Sequence, residues 1–411
     1  MTTLQRPAMR ALSISPFTQD GEAFLHLHDP EGFAADAAVP QLLANLLALF
    51  DGTRTVSQIV EDYQEMGGEE LPIWFVEKTI ADLDENFMLD SPKFRARLGS
   101  VANEYSNAQA RPASLAGRAY PNDAQELQAL LDGFNEQAGK LDAPPRPQGE
   151  IKGCVVPHID FTRGGVVEAL AYRDLRDQHF DVLVVLGIAH SGVRYPFCAT
   201  TKDYDTPLGV CRTNQEFVQA LQDRVGLQLT AEELAHKNEH SIEFVAVFLQ
   251  SIASLSSTRI VPILCGGFHR ETRAKTSPRN TSEVAQFIEA LRETVREWES
   301  KGQKVGVVAS VDLSHVGSRF GDERRLFGER LMEIEEEDRA FLACAEKGDC
   351  EAIHDAMSKD NNVRNVDAHP ALYTLLAAFP AWRTQFLAYD QAFDEEANSV
   401  VSFAAMTVFE P

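Results

Sequence analysis

The chain has 411 residues, 44% of them hydrophobic and 24% charged, which is ordinary globular composition for two domains, or three, with full cores. A formal net charge of −24 speaks against general binding to nucleic acid or an anionic membrane surface, since both require a cationic footprint. No stretch approaches the roughly 20 apolar residues of a membrane helix. The opening MTTLQRPAMRALSISPF has no basic segment followed by an apolar run, so a cytoplasmic location is expected.

Cys154, Cys198, Cys211, Cys265, Cys344 and Cys350 form no CxxC pair, which disfavours a zinc knuckle. Several sit in apolar runs (GCVVPH, PILCGG) and read as small buried hydrophobes of a protein from a reducing compartment.

In chain order, residues 1–35 read as short strands and turns, with alternation over Ala23–His28. The apolar spacing of Gln41–Phe50 predicts a helix that stops at Asp51-Gly52. Thr55 is placed to cap a second helix, Val56–Tyr63. A third, Ile73–Asn86, carries Phe75, Val76, Ile80 and Leu83 on one side, and Phe87-Met88-Leu89 is expected to return as a strand. The pattern suggests a small winged-helix-like α+β domain over residues 1–100, with 36–95 as its core. From residue 96 apolar periodicity is weak, and 101–110 are expected to be a linker.

From 111 to 411 strand-like apolar runs alternate with amphipathic helices. The clearest strands are Ile151–Val156, Val182–Gly187, Arg259–Cys265 and Val305–Val311, with Ser399–Thr407 near the end. The helices read as Asp123–Gly139, Gly165–Leu175, Asn214–Val225, Ser241–Ile252, Ser282–Lys301 and Glu323–Glu346. This is the signature of an α/β domain with a mostly parallel central sheet covered on both faces. The acidic run EIEEED, Glu333 to Asp338, reads as a solvated helix face.

Open α/β sheets bind ligands beyond the carboxyl ends of their strands. Polar residues collect there: His158 and Asp160 after the first strand, His190 and Ser191 after the second, His269 after the third, and Asp312, Ser314 and His315 after the fourth. Four strands ending in this way point to one functional pocket. In HKNEHSIEF, His240 and Glu243 are three apart at a helix start. They are candidates for the site, and an ordinary capping arrangement accounts for them equally well. No G-x-S-x-G elbow is present, which disfavours a serine hydrolase.

Taken together, RPASLAGRAYPND, PHIDFTRGGVVEALAY, LGIAHSG, YDTPLGV, EHSIEF, DLSHVGSRFGD and VDAHP resemble, in order, the elements of the Memo family, also called AmmeMemoRadiSam system protein B. The resemblance spans residues 111–411. It implies a three-layer sandwich related to the class III (LigB-like) extradiol dioxygenases, which hold Fe(II) with two histidines and a carboxylate. It implies His158 and His190 as metal ligands and His315 as an acid/base, with Asp312 behind it to orient the ring. Some members are thought to bind iron or copper through two histidines and a cysteine. Here the cysteine position reads Val366, so Asp367, one residue on, or Asp160, where the family has glycine, is left to supply the third ligand. Otherwise the site has degenerated and holds no metal. Iron (Fe2+) is the expected cofactor, with copper or zinc as alternatives.

The small domain resembles PqqD-like modules through its leucine helix, DGTRTVSQIV and LDENFML, which implies peptide recognition. Two functions follow as expectations. One is a metal-dependent oxidoreductase of the dioxygenase type acting on a small molecule or peptide. The other is a binding or scaffold protein that takes a peptide or phospho-ligand in the same pocket.

Overall fold

A computed structural model describes residues 4–68, 70–322 and 324–411. The chain divides into two compact units, Met1–Asn107 and Ala108–Pro411.

In the first unit β1 (Ser13–Gln19), β2 (Glu22–His28) and β3 (Ala37–Pro40) form an antiparallel sheet. Asp20 and Gly21 turn β1 into β2 with φ of 51° and 83°, the left-handed pair that a two-residue hairpin requires. The leucine segment is shorter than expected: a 3-10 turn after Pro40 precedes α1 (Ala44–Ala48). α2 (Val56–Glu65) opens on a reciprocal capping box between Thr55 and Gln58. α3 (Ile73–Glu85) buries Val76, Ile80 and Leu83. The expected return strand is reduced to one bridge, Leu89 to Met9, because Phe87 takes a left-handed φ of 58° that breaks the extended run. The stretch expected as a linker is helical through α4 (Pro92–Asn107), whose buried Phe94, Val101 and Tyr105 are too sparse to register as a period.

In the second unit β4 (Ala110–Arg111) and α5 (Ala124–Ala138) lead into β5 (Glu150–Val156), α6 (Phe161–Ala171) and β6 (Val182–Ile188). Then follow β7 (Phe197–Ala199), β8 (Asp203–Thr206), β9 (Gly209–Cys211), α7 (Gln215–Val225), α8 (Ser241–Ser251), β10 (Arg259–Cys265), α9 (His269–Ala274) and α10 (Ser282–Ser300). β11 (Val305–Ser310), β12 (His315–Gly317), α11 (Gly328–Glu346), α12 (Cys350–Ser358), α13 (Ala368–Ala378) and the hairpin β13 (Arg383–Asp394) to β14 (Ser399–Glu410) complete it. The expected start of the α11 helix, Glu323, lies outside the described residues.

The main sheet runs β12-β14-β5-β11-β6-β10-β7, with β13 paired to β14. Its centre, β5, β11, β6 and β10, is parallel, while β14, β12, β13 and β7 pair antiparallel, so the sheet is mixed around a parallel core. Successive residues alternate between two apolar cores: Val155, Val184 and Leu186 enter one, Cys154, Val156 and Val185 the other. That double burial is why these strands read as unbroken apolar runs. Four of the six cysteines are buried, and all are free thiols. The carboxyl ends of β5, β6, β10 and β11 share one edge.

The acidic run is only partly a solvated face. Ile334 and Asp338 share its inner side and are fully buried. Asp338 receives hydrogen bonds from Ser314, Arg364, Tyr389 and Ser402, a complete set of donors for a buried carboxylate.

Candidate metal centre

The site is built on that edge. After β5, His158 is buried with its backbone N–H donating to Asp312 Oδ1 at 3.0 Å and its Nδ1 bonded to Ser310 O at 3.0 Å. A ring held this way presents Nε2 to the pocket, 3.1 Å from Asp367 Oδ2 and 3.8 Å from Asp312 Oδ2. After β6, His190 is clamped by Glu239, which accepts its backbone N–H and its Nδ1, both at 2.9 Å. Its Nε2 lies 3.6 Å from Asp367 Oδ2. His240, just before α8, directs Nδ1 at the same Glu239 Oε1 at 3.3 Å. The three rings have centroids 5.0, 5.1 and 4.5 Å apart. Ligand-capable atoms of His158, His190 and His240 lie within 4.8 Å of one another, as do those of His158, Asp312 and Asp367.

Imidazoles tied at Nδ1 to a carbonyl or carboxylate, with Nε2 left as the Lewis base, are the supported form of a metal-binding histidine. The surrounding carboxylates set the electrostatics of these rings. Burial works against charge on His158, but Asp312 and Asp367 outweigh it and raise its pKa. Burial is likewise outweighed at His190, by Glu239 and then Asp367, and its pKa stands well above the ordinary value. Burial would raise the pKa of Asp367, yet His158 and His190 hold it far below the usual carboxylate range. For His240, burial and the neighbouring His190 prevail over Glu239 and lower it. The carboxylates thus favour positive charge where the imidazoles meet, and a cation in place of those protons answers the same field.

Asp367 is delivered by an unusual loop. Asn361, Asn362 and Asn365 all have left-handed φ, 61°, 55° and 50°, a conformation asparagine tolerates better than most residues. The Asn362 side chain bonds Val366 N and O, and Asp367 Oδ1 accepts Asp312 N at 2.7 Å. One carboxylate oxygen is thereby fixed and the other presented to the histidines. Val366, at the expected cysteine position, is buried and apolar.

Three expected roles move elsewhere. Asp312 does not lie behind His315. It sits under the turn after β5, where the open N–H groups of His158 and Ile159 need an acceptor, and His315 Nδ1 meets Leu313 O and Asn365 O at 3.1 and 3.2 Å instead. Glu243 points away from the rings and pairs with Arg111 at 2.6 Å, both side chains fully buried. Asp160 caps α6, accepting from Thr162 and pairing with Arg163. Glu239, not singled out from the sequence, is the acid that organises the site. Its signal was its place directly before His240 at a helix start.

The cluster lies between two cavities. One of about 560 Å3 is lined by His190, Asp367, His315 and Phe320 together with Phe268, His269 and Arg273. The other, about 460 Å3, is lined by His158, His190, His240, Asp312, His315 and Phe320. His315, packed edge-on against Phe320 with centroids 5.2 Å apart, borders both.

If Glu239 positions the rings, Glu239→Gln should weaken Co2+ binding about 10- to 100-fold while leaving the far-UV circular dichroism unchanged. Equal affinity in the variant would remove Glu239 from the site's support.

Comparison with known proteins identifies the family. Residues 111–407 match the family described as Memo-like protein. A MEMO1 family protein of Aquifex aeolicus is 27% identical over 409 residues, covering 98% of this chain and all of the relative. One from Thermus thermophilus is 27% identical over 300 residues, covering 73% of this chain and 82% of the relative. One from Methanopyrus kandleri is 31% identical over 210 residues, covering 50% of this chain and 69% of the relative. With three-quarters of its length matched and its histidines at the sheet's carboxyl edge, the chain belongs to the Memo-like family.

Proposed function

We propose that this protein is a non-haem, metal-dependent oxidoreductase of the dioxygenase type, acting on a small molecule or peptide. The observation that carries the proposal is the meeting of His158, His190 and Asp367 between two cavities, each ring tied at Nδ1. These three would hold the ion, with His240 beside them. Imidazole and carboxylate donors suit Fe2+ first, and copper or zinc after it. When bound, such an ion supplies electronic activation of oxygen and a template for an anionic substrate atom.

The chain's own contribution is placement and proton handling. Ser310 and Glu239 fix the ring orientations. His315, held by two carbonyls at Nδ1 and facing both cavities, takes a proton from substrate and returns it to product. Phe320, edge-on against the ring, gives it an apolar neighbour. If the substrate is a peptide, the N-terminal unit is its recognition element, in keeping with the PqqD resemblance. Among the described residues no helix is long and apolar enough to cross a membrane.

Metal analysis of protein purified without a chelating tag tests the reading. Near-stoichiometric iron, or uptake of Fe2+ under anaerobic conditions that is lost in His158→Ala and His190→Ala, is the expected result. Protein that stays metal-free under those conditions sinks it and favours the binding or scaffold role.

The pH dependence has a definite sign. Ligation needs neutral rings, whereas His158 and His190 keep their protons above the ordinary histidine value of 6.5. Metal affinity should therefore climb with pH through that value and go on climbing above it, with protons released on binding. Co2+ titrations between about pH 6 and pH 8.5 check this, and an affinity already flat above about pH 7 contradicts it.

A further inference from the structure

The two cavities beside the metal centre differ in charge. In the smaller one each arginine is matched: Arg163 by Asp160, and Arg319 by Asp394 at 2.8 Å. In the larger one Arg273 lies on the wall, and among the described residues no carboxylate is within ion-pair distance of it. The nearby acid in its own helix, Glu271, is turned away and accepts the Thr281 hydroxyl at 2.6 Å. Arg273 is exposed at the cavity mouth, and its guanidinium is free to meet a ligand there. The only carboxylate lining this cavity among the described residues is Asp367, at the metal end.

The wall beside Arg273 is shaped to approach a ligand. His269 folds back over Gly267, with its imidazole on the cavity wall beside Arg273. Between that end and the metal centre the wall is mixed, with Phe268, Phe320 and Pro370 beside Asn361, Asn362 and Asn365. A volume of about 560 Å3 suits a small organic molecule.

We infer that the larger cavity is a substrate pocket for an organic oxyanion. Arg273, with His269, takes the carboxylate or phosphoryl end, and the apolar body lies along Phe268 and Phe320 toward His190 and Asp367. A guanidinium presents a donor fork that matches either oxyanion, so the shared chemistry is the oxyanion on an apolar body. This inference rests on the proposed function for its link to catalysis, though the pocket's selectivity is independent of it.

Benzoate, phenyl phosphate and neutral benzamide are titrated into the full-length protein at low salt by ligand-observed NMR, for wild type, Arg273→Met and Arg319→Met. Co2+ titrations are run on the same samples. At least one anion should bind about ten-fold or more tighter than benzamide, and Arg273→Met should abolish that preference. Arg319→Met should stay within about two-fold of wild type, and Arg273→Met should keep its Co2+ affinity. Which anion binds better tells a carboxylate from a phosphoryl substrate. No anion preference, an unaltered Arg273→Met, or an equal loss in Arg319→Met overturns the inference. Arg273-dependent anion binding without Co2+ binding would leave the pocket standing and remove the metal reading; the converse would do the opposite.

Discussion

Asp367→Ala should lower Co2+ or Fe2+ affinity at least about 100-fold, more than the loss of any other acid in the cavities, with the fold intact. The expectation follows from how this side chain is held. Oδ1 is occupied by the Asp312 N–H at 2.7 Å, so the carboxylate cannot swing away, and Oδ2 lies within 3.1 and 3.6 Å of the two histidine Nε2 atoms. Removing it takes one ligand and also the charge that draws a cation to the imidazoles. Asp160→Ala is the matching control. Its oxygens serve the start of α6, so it should cost about 1 kcal/mol of stability as a lost helix cap and leave metal affinity within a few-fold. A tight site in Asp367→Ala together with a lost one in Asp160→Ala would exchange the two residues and refute the ligand set. The metal-free Asp367→Ala protein carries a second signature. With their counter-charge gone, His158 and His190 should titrate lower. The stability they contribute below pH 6.5, which in the wild type is lost as pH rises through their raised values, should then fade at lower pH.

Much of this arrangement is visible before any coordinates are. Parallel strands buried on both faces leave unbroken apolar runs, so the ends of β5, β6, β10 and β11 can be located, and with them His158, His190, His269 and Asp312. Asp367 follows from the register of VDAHP against the family's motif. What sequence could not decide is direction. Glu239 and Glu243 flank the same histidine, and a helix start at Ser241, legible in the sequence, does not by itself say which of them faces the rings. In the structure Glu239 lies outside the helix, folded back on His190, and Glu243 lies on the inner face of the first turn. The partner there, Arg111, is remote in sequence and belongs to a two-residue strand with no pattern of its own. The family resemblance implied Asp312 behind His315, but the open backbone N–H groups after β5 claimed the aspartate. β13 was missed for a different reason. Its residues are mostly half-buried, so RTQFLAYDQAFD shows neither clean alternation nor a continuous apolar run.

Arg111→Met should be the most destabilising single change among the polar residues named here, by about 3–5 kcal/mol, because it strands a fully buried Glu243 carboxylate. Tyr120, Ser114 and the Leu115 N–H would still bond that carboxylate, which sets the lower end of the range. Burial and the same carboxylate already push the Tyr120 hydroxyl far above its ordinary pKa, so it stays a donor across the accessible pH range. The substitution should also reach the metal centre. Arg111 Nε holds His236 O at 2.6 Å and one Nη holds Glu239 O at 2.7 Å, so the guanidinium fixes the segment that carries Glu239 and His240. Thermal unfolding and Co2+ titration of Arg111→Met, Glu243→Leu and the double variant separate the two effects. The double variant removes both charges at once and should regain a large part of the lost stability, since a buried ion pair replaced by apolar groups is often near neutral. It should not regain metal affinity, because neither leucine nor methionine can hold the carbonyls of His236 and Glu239. Recovery of both would mean that the ion pair acts on the centre only through global stability. Recovery of stability alone assigns Arg111 the positioning of Glu239, and through it of His190.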